Sequence, residues 1–197
     1  MKILLCDTST ENLVLVLYND SVIVDSLFEK LSLEHGKYLV NRIHNLLQKN
    51  GIQPANLDGL IIGIGPGSYT GLRIGLMVLK MLSYSTGIPL YSVSSLTLLT
   101  SGYTDLVCAY MDARRGYVYG CIRDIKKEYL ADTHIDYKEL EKTATSVGAH
   151  LVEIKQNTIK LDIDIIKKNM HQVIDIYHIV PNYLRKTQAE EEHDKKS

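Results

Sequence analysis

Apolar residues recur along this chain in two rhythms. Ile3 to Cys6 is a short unbroken apolar run that stops at Asp7, which predicts a buried strand. Leu13 to Tyr18 and Val22 to Phe28, joined by Asn19-Asp20-Ser21, predict a hairpin. From Glu34 to Asn50 the rhythm turns helical: Leu39, Val40, Ile43, Leu46 and Leu47 fall within roughly a 120° arc, and Asn50-Gly51 supplies a stop. Gly59 to Ile64 reads as a second buried strand, and a helix is expected from Thr70 to Ser85. That helix is apolar on two opposed faces, Leu72, Leu76 and Leu79 against Ile74, Met77 and Met81, with Arg73 and Lys80 on a narrow polar stripe and Gly71 and Gly75 on one more side. A helix of this kind must be covered twice. One cover is its own sheet; for the other the pattern favours a partner over the rest of this chain.

The second half repeats the opening pattern. Leu106 to Met111 is a strand ending at Asp112, a hairpin turns at Arg114-Arg115-Gly116, and Tyr117 to Arg123 returns. A helical stretch follows, then a strand expected over Ser146 to Ile154, then another helix. The whole reads as an α/β chain in which a β-β-β-α-β-α unit is used twice, resting on pattern and on the paired strand-end aspartates. Turn-forming residues at Ser101-Gly102-Tyr103-Thr104 suggest lobes at 1–104 and 105–185. The last stretch, 186–197, has Glu190-Glu191-Glu192 and Lys195-Lys196 and no large apolar residue, and is expected to be a disordered tail.

Composition sharpens this picture. Of 197 residues 45% are apolar and 23% charged, enough for a sizeable core. Residues 1–104 hold seven basic and seven acidic groups and 105–197 hold fifteen and sixteen, so the halves differ in polarity but the net charge is only −1. A strongly basic nucleic-acid binder is excluded, and any RNA contact is local or made through a partner. Without a signal peptide or a membrane-length apolar stretch, the chain reads as cytoplasmic. Cys6, Cys108 and Cys121 lie far apart in strand-like contexts and read as buried, inert thiols.

The candidate chemistry centres on Gly63-Ile64-Gly65-Pro66-Gly67-Ser68-Tyr69-Thr70-Gly71-Leu72-Arg73, a glycine-rich turn between a strand and a helix. Such a turn suits an anion at the helix N-terminus. The established nucleotide signatures fail, however: Thr70 stands where a dinucleotide fold needs glycine, and Leu72 where a P-loop needs lysine. The alternative is a structural turn with Ser68 or Thr70 as N-cap. Asp7-Thr8-Ser9-Thr10 could join Gly65, Gly67, Ser68 and Thr70 in a phosphate- or nucleotide-like loop if the two strand ends are neighbours. His35 and His44, nine apart, cannot share a metal from one helix. His171 and His178 lack a carboxylate at ligand spacing, and no metal site is expected.

Five segments in this order resemble the TsaB (YeaZ) family: Ile3-Leu4-Leu5-Cys6-Asp7-Thr8-Ser9; Gly65-Pro66-Gly67-Ser68-Tyr69-Thr70-Gly71-Leu72-Arg73-Ile74-Gly75; Val93-Ser94-Ser95-Leu96; Asp112-Ala113-Arg114-Arg115-Gly116-Tyr117-Val118-Tyr119; and Pro181-Asn182-Tyr183-Leu184-Arg185. The resemblance spans positions 3 to 185, and it marks Asp112, Arg114, Arg115, Tyr183 and Arg185 as family positions. It implies two RNase H-like subdomains of the actin/sugar-kinase/Hsp70 fold, the second reduced. It also implies a role in forming N6-threonylcarbamoyladenosine at position 37 of tRNAs that read ANN codons. Family members act without catalysing the transfer: they pair with the catalytic paralogue TsaD through helices of the first lobe, and the ATPase TsaE docks on that pair. By this resemblance Ile74, Met77 and Met81, rimmed by Arg73 and Lys80, would meet TsaD. The chain would bind no cofactor alone, ATP or ADP would belong to the assembled complex, tRNA would be reached through it, and the isolated chain would form a homodimer. A small actin-fold ATP-dependent kinase is the competing reading; it requires a catalytic acid and an adenosine turn in the second lobe, where Val147-Gly148-Ala149 is the only candidate.

Overall fold

The computed structural model describes residues 1–30 and 35–184. The first lobe opens with three antiparallel strands, β1 (Lys2–Asp7), β2 (Asn12–Asn19) and β3 (Val22–Lys30). Helix α1 (His35–Lys49) leads to β4 (Gly59–Gly63), and α2 (Tyr69–Thr86) to β5 (Leu90–Val93). A short helix α3 (Ser95–Leu99) then ends the lobe. In the second lobe β6 (Val107–Asp112), β7 (Tyr117–Arg123) and β8 (Glu128–Asp136) form a meander, followed by α4 (Tyr137–Val147) and β9 (His150–Glu153). The short helix α5 (Ile163–Asn169) and the two-residue β10 (His171–Gln172) bring the chain back to the first lobe.

The first sheet runs in the order β10-β5-β4-β1-β2-β3, and the second β8-β7-β6-β9. In each lobe the first three strands are antiparallel, and the next joins the first strand in parallel: Leu5 lies opposite Val16 on one side and Ile61 on the other, and Cys108 opposite Ile122 and Leu151. This is the RNase H-like arrangement used twice. Among the described residues the second copy has no counterpart of β5, so it is the reduced one.

Strand alternation sorts the core into layers. Leu4, Cys6, Leu15, Leu60 and Ile62 face α1 and α2, and pack on Leu39, Leu47, Leu76 and Leu79. Their neighbours Ile3, Leu5, Val14, Val16 and Ile61 face the other way, meeting α3, α5 and, across the lobes, Ala109, Met111 and Cys121. The far side of the second sheet is closed by Leu140 and Ala144 of α4. A sheet covered on both faces explains why β1 and β4 read as continuous apolar runs. The expected boundary at 104/105 falls in the turn between α3 and β6.

Two local expectations are corrected. Ser146 and Val147 belong to α4, because Gly148 takes a left-handed conformation (φ 71°) and caps that helix; the strand starts only at His150. Val147-Gly148-Ala149 is therefore a helix stop, not a nucleotide turn. Val40, placed on the buried arc of α1, is 58% exposed. The third strand of the second unit, Glu128–Asp136, was not delimited from sequence, since its exposed pattern is too polar to stand out. Glu34, Arg185 and the 186–197 tail lie outside the described residues.

Candidate functional site

The two strand-end motifs of the first lobe do meet. Asp7, Thr8 and Ser9 leave β1 beside the Gly65–Ser68 turn that follows β4, and the Ser68 backbone N–H donates to the Ser9 carbonyl at 2.6 Å. Gly67 allows this approach: a Cβ there would overlap the Ser9 carbonyl. Asp7 Oδ1 accepts from the backbone N–H and the hydroxyl of Ser9 (2.8 and 2.6 Å). Thr8 Oγ1 donates to the Gly71 carbonyl (2.8 Å), tying β1 to the first turn of α2. Ser68, rather than Thr70, is the N-cap, accepting from the Gly71 N–H. Gly65 N–H donates to Ser95 Oγ (3.0 Å), and Ser95 N–H donates back to the Gly65 carbonyl (2.8 Å).

The consequence is chemical. Asp7, Thr8 and Ser9 are buried, and the N–H groups of Gly65, Ser68 and Gly71 are engaged within the chain. Thr70 points to the exposed side. These bonds tie the end of β1 and the Gly65–Ser68 turn to the first turn of α2. Burial and the neighbouring Asp7 carboxylate push the Cys6 thiol well above its ordinary range, so it is no nucleophile. Among the described residues no group of three or more His, Cys, Asp or Glu side chains could hold a metal, and no helix is long and apolar enough to cross a membrane.

The face of α2 opposite the sheet has a different character. Leu72, Leu76 and Leu79 are buried, Ile74 is half-buried, and Met77 and Met81 are 66% and 64% exposed. Tyr84, one turn on, is equally exposed, as is Val40 on the adjoining α1. Arg73 and Lys80 do not stand free beside this face. Arg73 lies over the Tyr69 ring (4.2 Å) and near that of Tyr183 (5.8 Å), and its Nε donates to Tyr183 Oη at 2.8 Å. Tyr69 and Tyr183 stack at 4.9 Å. Lys80 Nζ donates to the carbonyls of Tyr177 and Ile179 (3.1 and 3.4 Å).

These contacts define a strap that sequence reasoning missed. Residues 173–184 cross α2, pinned at one end by Val173 N–H donating to the Leu90 carbonyl and at the other by Asn182 N–H donating to the Ile64 carbonyl. Val173, Ile176 and Ile179 pack on the first-lobe core, as Val78 and Leu82 of α2 do. Part of the second cover of α2 is therefore this chain itself. The Pro181-Asn182-Tyr183 segment carried the signal, though without a pattern to say where it docks. Asp112, Arg114 and Arg115 sit elsewhere, at the exposed β6–β7 turn. There Asp112 Oδ1 accepts from the Arg114 N–H, and both arginines adopt positive φ (69° and 56°).

Comparison with known proteins places this geometry. A family model described as "TsaD: tRNA N6-adenosine threonylcarbamoyltransferase" matches residues 29–173. The Bacillus subtilis "tRNA threonylcarbamoyladenosine biosynthesis protein TsaB" is 28% identical over 222 aligned positions, 96% of this chain and 96% of that protein. The Escherichia coli protein of the same name is 34% identical over 124 positions, covering 60% of this chain and 53% of its own. A solved structure, "YeaZ from Pseudomonas aeruginosa", shares the fold with a TM-score of 0.71 at 21% identity, over 93% of this chain and 99% of the other.

Proposed function

The chain belongs to the TsaB (YeaZ) family, within the wider group that the TsaD model describes, and from that premise we propose that it is a non-catalytic subunit in the formation of N6-threonylcarbamoyladenosine on tRNA. Its role is to pair with a TsaD-type catalytic subunit and, as a pair, to receive the ATPase TsaE. The observation that carries this reading is the outer face of α2. Met77, Met81 and Tyr84 are large, apolar and exposed, with Val40 on the neighbouring helix, while the opposite stripe of the same helix is fully buried. Such a patch suits a partner, and methionine adapts to a partner's surface. The self-closed strand-end joint supports a supporting role over bond-making. Arg73 and Lys80 serve the surface by holding the strap beside it, rather than as a free polar rim.

Left without its partner, the same face would join two copies about a two-fold axis. A cytoplasmic setting follows from the tRNA pathway. The test is Met77→Glu beside Leu76→Glu, read by size-exclusion chromatography and by co-purification with the TsaD-type subunit of the same cell. A charge at Met77 in a desolvated contact costs on the order of several kcal/mol, so affinity should fall roughly a hundredfold while the monomer stays folded. Leu76→Glu, with its side chain in the core, should not fold. A Met77→Glu protein that binds normally overturns the assignment of this face.

A further inference from the structure

The strap that crosses α2 shares the two-sidedness of the helix beneath it. Its apolar residues recur at every third position, in two sets. Val173, Ile176 and Ile179 pack on the first-lobe core. Ile174, Tyr177 and Val180, each one position further on, are 88%, 71% and 66% exposed. The first set is enough to dock the strap. The second contributes little to burial in the isolated chain, and an apolar set that large left in contact with water marks an interaction surface when it is contiguous with others of its kind.

It is contiguous with the exposed face of α2. Lys80 lies between Met77 and Tyr84 along the helix, and its Nζ donates to the Tyr177 and Ile179 carbonyls (3.1 and 3.4 Å), which lays the strap alongside that face. The Tyr84 and Tyr177 rings meet edge to face, their centroids 6.0 Å apart. The Tyr69–Arg73–Tyr183 stack fixes the far end of the strap. The acidic group of the strap already has its partners: Asp175 accepts from the N–H groups of Tyr177 and His178 and pairs with the His178 ring at 2.6 Å. Helix and strap therefore present one apolar surface, held in place before any partner arrives, and such preorganisation favours affinity.

We propose that the outer set of the strap is the second half of the docking surface for the TsaD-type subunit, so that Ile174, Tyr177 and Val180 meet the same partner as Met77, Met81 and Tyr84. This rests on the pairing role proposed above and extends it to the strap. A stable interface takes about 800 Å² from each partner, more than Met77, Met81, Tyr84 and Val40 expose between them, and the strap adds three more large side chains. Residues 185–197 have only Ala189 as an apolar side chain to set against this surface. A second copy of the chain is the competing occupant.

The experiment measures binding of the full chain to the TsaD-type subunit of the same cell, by calorimetry and by co-elution in size-exclusion chromatography. Tyr177→Asp should weaken binding at least about tenfold and Ile174→Asp at least about threefold. Ile125→Asp, which puts the same charge on an exposed apolar position of the β7–β8 turn, should leave it unchanged. Ile174→Asp keeps the test decisive if Tyr177→Asp releases the strap, because a side chain so exposed holds little of its own chain. A melting temperature within about 2 °C of the wild-type value identifies a variant whose strap stays docked. Wild-type affinity in both strap variants, with binding lost in Met77→Glu, overturns the role of the strap and leaves the pairing role standing. Wild-type affinity in Met77→Glu as well overturns both. Reduced self-association with unchanged binding to the TsaD-type subunit assigns the strap to a second copy and overturns the proposal, as does equal weakening by Ile125→Asp.

Discussion

Replacing a helix glycine by alanine ordinarily stabilises a protein by about 1 kcal/mol. Gly71 of α2 should reverse that sign and Gly75 should cancel it, for two different reasons. A Cβ on Gly71 would overlap the backbone carbonyl of Thr8. That carbonyl closes β1, which is hydrogen-bonded to β2 on one side and β4 on the other and cannot retreat. The helix must move instead, straining the Thr8–Gly71 hydrogen bond and the seat of Leu72. Overpacking costs about 1–3 kcal/mol and a lost buried bond about 1, so against the propensity gain Gly71→Ala should destabilise by about 1–3 kcal/mol. A Cβ on Gly75 meets the Thr8 side chain: it overlaps Oγ1 and lies 3.3 Å from both Cβ and Cγ2. A side chain can rotate at the expense of one bond of about 1 kcal/mol, which offsets the propensity gain, so Gly75→Ala should leave stability about unchanged.

Thr8→Ala separates the two cases. It removes the atom that obstructs Gly75 and leaves the one that obstructs Gly71. In the Thr8→Ala background Gly75→Ala should stabilise by about 1 kcal/mol, whereas Gly71→Ala should not, because the overlap with the Thr8 carbonyl remains once the shared Thr8–Gly71 bond has dropped out of both cycles. Urea unfolding at equilibrium measures the cycle, and the melting temperature should fall about 2–4 °C per kcal/mol for a chain of this size. The reasoning is refuted if Gly75→Ala stabilises the wild-type chain as a solvent-facing glycine would, or if Gly71→Ala stabilises in the Thr8→Ala background.

Other substitutions test the remaining joints. Asp132 has its carboxyl pushed up to about 6 by burial, so between about pH 4 and pH 6 the folded state holds a proton the unfolded state has lost, and stability falls as pH rises through that window. Asp132→Asn should therefore exceed the wild-type chain by up to about 2 kcal/mol at pH 7.5 and match it near pH 4; an equal difference at both pH values would contradict this. Arg73→Met removes the Tyr69–Arg73–Tyr183 contacts and should loosen the strap, which hydrogen exchange at the Val173 and Asn182 amides would detect while exchange in β1 and β4 stays unchanged. Asp7→Ala and Ser68→Ala should each lower stability by about 1 kcal/mol through lost local bonds. Both should lower the activity of an assembled modification complex only modestly, and a loss of several orders of magnitude with assembly intact would rule out the non-catalytic reading.

Much of the fold was legible along the chain, because strands and helices announce themselves by local period. Ile3 to Cys6, Gly59 to Ile64 and the Leu72, Leu76, Leu79 stripe are where the pattern puts them, and the repeat of hairpin, helix and strand appears in both lobes. The glycine motif was legible as a strand-to-helix joint, and Ser68 as one of two candidate caps. Where local signals ran thin the reading slipped: β8 is a polar, partly exposed strand, and Gly148 stops a helix that Ser146 and Val147 extend. What no local pattern contains is the identity of a covering neighbour. Ile3, Leu5 and Met111 are as apolar as Leu4 and Leu60, yet they form the core shared between the sheets. Arg73 and Lys80 look like solvent-facing charges until Tyr177, Ile179 and Tyr183 arrive from a hundred residues away. Asp7, Ser9 and the Gly65–Ser68 turn carry the composition of an anion site, and only the folded chain shows that Asp7 bonds Ser9 and that Ser68 N–H bonds the Ser9 carbonyl. Periodicity decides which side of an element is apolar, a property of nearest neighbours in the chain. Which partner lies against that side depends on contacts between distant segments, and those exist only once the chain has folded.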